Sequence, residues 1–288
     1  MISLIFVFIT SCDVTEPPPV PDLLSIDSDP AWSPDGNWIA YHHLSIEDES
    51  EDSYSTGLYL IDTSGNNREM LVDGNYLSPD WSPDGKKLVI TNGSIFILDI
   101  STQDLAPFTD FNSVFFPAWS PDGEKIAFDA TSMGEQNGIW IANVDGTNRA
   151  NLGLGRNPDW APDNTMLVYQ GPSGETDAEN QIWKAGTNGS NITQLTSNNI
   201  AVNRAPTWSP DGNTIVWWVN PEGMYSSNIW IMDQDGNNKR ILTFSDTSPS
   251  WSPSSDKIVF PNITENGEKT VLWIIGIDGN GLKQLTKY

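Results

Sequence analysis

Three stretches of this chain are near copies of one another: "PAWSPDGEKIAF" from Pro117 to Phe128, "PDWSPDGKKLVI" from Pro79 and "PTWSPDGNTIVW" from Pro206. Their tryptophan recurs at Trp32, Trp81, Trp119, Trp160, Trp208 and Trp251, at spacings of 49, 38, 41, 48 and 43 residues. A second motif follows each copy of the first: "GLYLIDTSGNNREML" from Gly57, "SIFILDISTQDLAPF" from Ser94 and "GIWIANVDGTNRANL" from Gly138. The set continues with "QIWKAGTNGSNITQL" from Gln181, "NIWIMDQDGNNKRIL" from Asn228 and "VLWIIGIDGNGLKQL" from Val271. Six first motifs alternate strictly with six second motifs. Such a period marks a repeat architecture, in which each unit buries its apolar faces only against its neighbours.

The unit is readable from turn chemistry. In "WSPDG" the proline presets φ for the first central position of a turn, the aspartate accepts nearby backbone N–H groups, and glycine takes the left-handed conformation. A short β-type run follows, as in "EKIAFDA" (Glu124 to Ala130). The second motif repeats this plan, strand, "DGTN" turn, strand. Four short antiparallel strands every 38 to 49 residues make one propeller blade, and six of them predict an all-β, six-bladed β-propeller. The motif aromatics are then inter-blade packing rather than a sugar platform. Asn164 replaces the turn glycine in "APDN", whereas the last first motif reads "SPSSDK" from Ser252 and predicts a looser turn. "DQDGNN" (Asp233 to Asn238) superficially resembles a calcium loop, but strands flank it and "GTNGSN" at the equivalent place lacks the carboxylates, so it reads as a hairpin turn.

Charge excludes one class of partner. With 14 Lys and Arg against 38 Asp and Glu, the net charge is −24, which repels phosphate backbones and argues against nucleic acid. Cys12 is the single cysteine, so no intrachain disulfide forms, and with only His42 and His43 beside it a zinc site is not expected. Residues 1–11 carry an apolar run, Ile2 to Ile9, that suits the h-region of a signal peptide and is too short to span a bilayer. "ITSC" resembles a bacterial lipobox, which makes Cys12 the lipidation site. Residues 12–22, with "DVTEPPPVPD", form an extended proline-rich tether. The expected organisation is therefore signal peptide 1–11, tether 12–22 and propeller 23–288, lipid-anchored in a bacterial cell envelope and facing the periplasm or outer surface. The final "LKQLTKY" reads as the outer strand of the sixth blade, and "DLLSID" (Asp22 to Asp27) is placed to pair at the seam of the ring.

"WSPDGxxIAF" followed by "IWxxxxDGxNxxxLT" resembles the TolB-type WD-like propeller repeat, also found in the propellers of some oligopeptidases. The resemblance covers Asp29 to Tyr288 and all six copies. It implies a TolB-like propeller, and by analogy docking of an envelope protein. Fold alone does not fix function. The α/β domain ahead of the TolB propeller has no counterpart in this sequence. The Gly-x-Ser-x-Gly elbow of the peptidase domains is also missing. A non-catalytic binding or scaffold module, monomeric and without a cofactor, is the reading that follows.

What varies among the repeats is free for function. Both turn types belong to one rim of the ring, and the longer, unlike loops belong to the other, the default recognition surface of such a scaffold. Tyr54, Tyr76, Phe111, Phe115, Arg156, Arg204, Trp218 and Tyr225 are the expected binding face. Trp218 stands out because His42, Thr91, Asp129, Gln170 and Pro261 occupy its place in the other blades. A protein partner is the first expectation; the alternative is a carbohydrate bound or processed at the central mouth, where an aromatic stacks on a sugar. Adjacent on a strand, His42 and His43 point to opposite faces and do not chelate one ion. "EDESED" (Glu47 to Asp52) is a solvated loop whose one cation chemistry is weak Ca2+ binding.

Overall fold

The computed structural model describes residues 25–45, 56–108, 113–131, 137–153, 155–172, 180–197, 201–221, 227–245 and 247–287. Blade 1 comprises β1 (Ser25–Trp32), β2 (Trp38–Ser45), β3 (Gly57–Asp62) and β4 (Arg68–Asp73), and blade 2 comprises β5 (Leu77–Trp81), β6 (Lys87–Thr91), β7 (Ile95–Asp99) and β8 (Leu105–Pro107). Blade 3 is β9 (Val114–Trp119), β10 (Lys125–Ala130), β11 (Gly138–Asn143) and β12 (Ala150–Asn151); blade 4 is β13 (Arg156–Trp160), β14 (Met166–Pro172), β15 (Asn180–Gly186) and β16 (Thr193–Gln194). Blade 5 is β17 (Ala201–Trp208), β18 (Thr214–Pro221), β19 (Asn228–Asp233) and β20 (Arg240–Phe244), and blade 6 is β21 (Ser250–Trp251), β22 (Lys257–Ile263), β23 (Lys269–Gly276) and β24 (Lys283–Gln284). Every blade is an antiparallel meander from the axis outward, as the repeat predicts.

The "SPDG" turns close in one way throughout. In blade 1 Ser33 N–H donates to Trp38 O at 2.8 Å and Gly36 N–H to Ser33 O at 2.9 Å, while Asp35 accepts Asn37 N–H at 3.0 Å. The sixth turn corrects the expectation of looseness. Ser252 N–H donates to Lys257 O and Ser255 N–H to Ser252 O, both at 2.9 Å. Ser255 takes the left-handed position (φ 58°), and Asp256, two places later than usual, accepts the Ser252 hydroxyl at 3.1 Å. The turn keeps its shape because the Ser254 hydroxyl fills the place of the usual aspartate and, with that of Ser252, donates to the Asp256 carboxylate.

The two turn types of each blade are lashed together. Thr63 N–H donates to Asn37 O, Ile100 to Lys86, Val144 to Glu124, Thr187 to Thr165, Gln234 to Asn213 and Ile277 to Asp256. Both therefore lie on one rim, and the varied loops on the other. Gly65 shows how close neighbouring blades come at the turn rim: its φ is +84°, and a Cβ there would lie 2.5 Å from Leu285 O of blade 6.

The core is a set of six inter-blade layers. Trp81 packs between blades 1 and 2, Trp119 between 2 and 3, and Trp160 between 3 and 4. Trp208 fills the 4–5 layer with Trp217 and Trp230, Trp251 and Trp273 the 5–6 layer, and Trp32 the 6–1 layer. Large aromatics at interfaces between twisted sheets bury the most area per residue, which is why the motif tryptophans recur.

The ring closes at its N-terminal strand. β24 pairs with β23 as blade 6's own outer strand, and Ser25 and Ile26 of β1 run parallel to Lys269 and Thr270 of β23. Beneath that pairing the buried Asp27 carboxylate meets His43 Nδ1 at 2.7 Å and accepts the Thr286 hydroxyl at 2.6 Å. Three segments distant in sequence thus share one buried carboxylate.

Candidate functional site: the channel and the loop face

Each blade brings a proline to the axis, in the first five blades within the inner strand and in the sixth just before it: Pro30, Pro79, Pro117, Pro158, Pro206 and Pro249 line the central cavity of 130 Å³. The residue before proline is normally extended. Here Asp29, Ser78, Phe116, Asn157 and Ala205 have φ between 46° and 53°, and the ladders to the second strands shift register at these places. The bulges turn each strand at the channel wall, a costly backbone arrangement found where surrounding structure over-determines it.

Around the channel the six blades are not equivalent; they alternate. Asp80 of blade 2 accepts Trp119 N–H of blade 3 at 2.6 Å. Asp159 of blade 4 accepts Trp208 N–H of blade 5 at 2.6 Å and the Thr207 hydroxyl at 2.9 Å. Ser250 of blade 6 accepts Trp32 N–H of blade 1 at 3.1 Å. In return the even-blade indoles reach backward: Trp81 Nε1–H donates to Ala31 O at 3.0 Å, Trp160 to Ala118 O at 3.1 Å and Trp251 to Thr207 O at 3.2 Å. Trp32 and Trp208 instead donate within their own turns, to Gly36 O and Gly212 O. Burial pushes Asp80 up to about 7, helped by the Asp159 charge, and Asp159 up to about 6; Asp29 is also raised by burial.

On the loop rim, Arg156 and Arg204 hold equivalent positions, four residues before the motif tryptophans of blades 4 and 5, and both are exposed. Arg204 lies opposite Trp218 in the ladder, with its guanidinium carbon 5.6 Å from the indole centroid. The Trp218 indole is fixed by donation to Ser245 O at 3.2 Å. Phe115 is 38% exposed and tilts against Phe116 at 6.5 Å. These four expected residues come to one rim. Tyr76 does not present its ring in the same way: it packs edge-on against Phe96 at 5.9 Å within the blade 1–2 layer. Tyr54, Phe111, Tyr225, the acidic run 47–52 and Cys12 lie outside the described residues.

Two apolar residues on this rim escaped the sequence reading, Phe244 (63% exposed) and Ile263 (42% exposed). Both end strands that look like ordinary repeat positions. The available signal was length, since β20 runs five residues where β12, β16 and β24 run two.

The place that Trp218 occupies is a latch between blades. Thr91 donates its hydroxyl to Val114 O at 2.7 Å, and Asp129 accepts Asn157 N–H at 3.4 Å. Burial raises Asp129 to about 6, opposed by that N–H and by Arg156 nearby, and its Oδ1 has no hydrogen-bond partner among the described residues. His42 is buried, 3.5 Å from the Ser28 hydroxyl through Nδ1, and burial with the neighbouring His43 lowers it to about 4. The two histidines face Ser28 and Asp27 respectively. Among the described residues no group of three or more His, Cys, Asp or Glu is placed to hold a metal ion.

A ring of six four-stranded antiparallel blades, with both turn types on one rim and the unlike loops on the other, defines a β-propeller. A model of the TolB beta propeller domain matches residues 43–288, and the chain belongs to that family. The Tol-Pal system protein TolB of Alcanivorax borkumensis is 41% identical over 64 residues, 22% of this chain but only 13% of that protein. TolB from Acinetobacter baumannii has the same fold, with a TM-score of 0.72 at 24% identity over 85% of this chain and 62% of that one. Oligogalacturonate lyase from Vibrio parahaemolyticus is similar in fold at a TM-score of 0.58 and 12% identity, over 93% of this chain and 78% of the lyase.

Proposed function

We propose that this chain is a non-catalytic binding module of a bacterial envelope that recognises a protein partner through the loop rim of its propeller. The observation carrying this reading is the set of arginine and aromatic side chains exposed where the loops differ from blade to blade. Arg156, Arg204, Phe115 and Phe244 are exposed on the loop rim, while the backbone of the opposite rim is tied up in turn hydrogen bonds repeated in every blade. Arginine and aromatic side chains on a rigid rim are the residues that dominate binding energy at protein interfaces. The kinship to TolB supports an envelope setting, with residues 1–11 as signal peptide, Cys12 lipidated and 12–22 as tether.

Photocrosslinking in the native envelope tests the reading, with the probe placed at Phe115 and at Phe244. One discrete protein adduct from either position is expected; absence of any adduct from both overturns it. Radiolabelled palmitate incorporation that disappears in Cys12→Ser tests the anchor separately.

The fold shared with an oligogalacturonate lyase favours a second reading, a glycan bound at the channel mouth. Retention on an oligogalacturonate column together with no protein adduct would replace the first reading by this one.

A further inference from the structure

The first strand is two ladders joined by a hinge. Ser25, Ile26, Asp27 and Ser28 pair with Ser45, Leu44, His43 and His42, and the register shifts before Ala31 and Trp32 resume the pairing. At the shift stand Asp29, with φ 49°, and Pro30, which has no N–H to give. The upper ladder, residues 25–28, is therefore a short strap. Besides β2, it is held by two parallel pairs with Lys269 and Thr270 of blade 6 and by the bond from Thr286 to Asp27.

The chain has two histidines, and both grip this strap, one on each face. His43 Nδ1 meets Asp27 at 2.7 Å, and His42 Nδ1 lies 3.5 Å from the Ser28 hydroxyl. His43 has a carboxylate as its partner, whereas His42 Nε2 is buried with no hydrogen-bond partner among the described residues. A proton added there puts a charge and an unaccepted N–H into the interior, which is costly. We propose that residues 25–28 form an acid-released strap, freed from β23 by protonation of His42 while the rest of the ring stays closed. The titratable groups acting on His42 are His43 on β2 and Asp27 on β1. On β3 its ladder partner is Leu58, and blade 2 brings Tyr76, Trp81, Leu88 and Ile90 to that layer. Arg68, over the Tyr41 and Tyr59 rings, belongs to the face of His43. Burial, and then the neighbouring His43, lower His42 from 6.5 to about 4 against the pull of Asp27. Opening the strap returns the ring to water and to its ordinary value. The open form then binds more protons below about pH 6.5, so closure is at full strength above that pH and weakens as pH falls toward 4.

The joint between blades 4 and 5 is the built-in control. Asn203 stands there as Asp27 does, five residues before the motif tryptophan, and Thr196 stands as Thr286 does. Ile182 N–H donates to the Thr196 hydroxyl at 2.8 Å, as Leu272 N–H does to Thr286. Around Asn203 the partners are neutral: its Nδ2–H donates to Gln181 Oε1 at 3.3 Å, and Trp217 Nε1–H donates to its Oδ1 at 2.9 Å. Trp218 and Val219 take the places of the two histidines. One joint is thus made of neutral groups and its counterpart around a histidine.

Hydrogen exchange resolved to single amides in the full-length chain, corrected for the intrinsic rate, tests the proposal at about pH 7.5 and about pH 4.5. Protection of Ile26 to Ser28 and of Thr270 should fall at least about tenfold at the lower pH, while Val202 to Arg204 and Ile182 hold theirs. His42→Asn keeps a donor toward Ser28 and takes up no proton, so it should abolish the fall. Equal loss at both joints would make it a general effect of acid and overturn the proposal. A loss that persists in H42N, or no loss at all, would do the same. Where H42N does not fold, imidazole NMR signals of the wild-type chain decide the matter. His42 should take up its proton below its ordinary value and in step with the strap amides. A His42 ring that titrates near 6.5 while those amides stay fixed overturns the strap.

Discussion

The Asp159 carboxylate receives the backbone N–H of Trp208, the motif tryptophan of the next blade, at 2.6 Å, and the Thr207 hydroxyl joins the same oxygen. Asp159→Ala should cost about 1.5–3 kcal/mol, the usual worth of hydrogen bonds to a charged acceptor. Asp159→Asn keeps an acceptor oxygen and removes a desolvated charge, so it should be neutral or stabilising at pH 8. Urea unfolding of both variants checks the contrast; equal losses would mean that the acceptor is not the source of the effect.

The pH dependence has a definite sign. Asp80 and Asp159 are raised to about 7 and about 6 by burial, and Asp129 to about 6 by burial. With unfolded values near 3.8, the folded state binds more protons between roughly pH 4 and 7. The stability these groups contribute is fully present below the unfolded value and is lost as pH rises through 6 to 7. Turn aspartates such as Asp35 and Asp145 are lowered by hydrogen bonds to Ser33 and Thr147, and their contribution is lost as pH falls below about 4. Urea midpoints should therefore drop between pH 5 and pH 8. The drop should shrink in the D80N/D159N double variant, and an unchanged slope there would assign it to the net charge instead.

Two tryptophans of the same motif should respond differently to the same change. Trp160 Nε1–H donates to Ala118 O of the preceding blade, whereas Trp119 Nε1 is buried without a partner among the described residues. Trp160→Phe should cost about 1 kcal/mol more than Trp119→Phe, the net value of a buried hydrogen bond, measured by chemical denaturation.

At the seam, Thr286 both donates to Asp27 at 2.6 Å and accepts Leu272 N–H at 2.8 Å. Thr286→Val strands a buried carboxylate lone pair and a buried N–H, at a cost of about 2–3 kcal/mol. Hydrogen exchange at Lys269 and Thr270, the parallel partners of β1, should accelerate. Unchanged exchange there would locate the loss away from the closure.

The architecture was legible because its signals are local and repeated. Turn residues at fixed offsets and a tryptophan at 38 to 49 residue intervals survive any uncertainty about individual strands. The sixth turn misled because its composition was read and its length was not. Ser254, Ser255 and Asp256 fill the places of Asp35, Gly36 and Asn37 one for one, and the hydroxyls and carboxylate close the turn together. The candidate site was legible only by subtraction. Arg156 and Arg204 stood out as unlike their counterparts, yet Tyr76 stood out equally and is packing. The alternation of blades was invisible, since Asp80, Asp159 and Ser250 acquire a common role only from what faces them across the ring.

The closure of the ring also sets an order of events in time. Thr270 follows its partner Ile26 by 244 residues. At about 5–20 residues per second, synthesis leaves the first strand's upper end waiting for roughly 12–50 s. Throughout that interval the nascent chain carries an unpaired strand edge and an Asp27 carboxylate without Thr286, the state most open to wrong partners. Each new blade gives the one before it a face to pack against, but the circle is complete only when the last dozen residues arrive. Loss of even a short C-terminal piece is then a failure of the whole ring, felt first at its beginning.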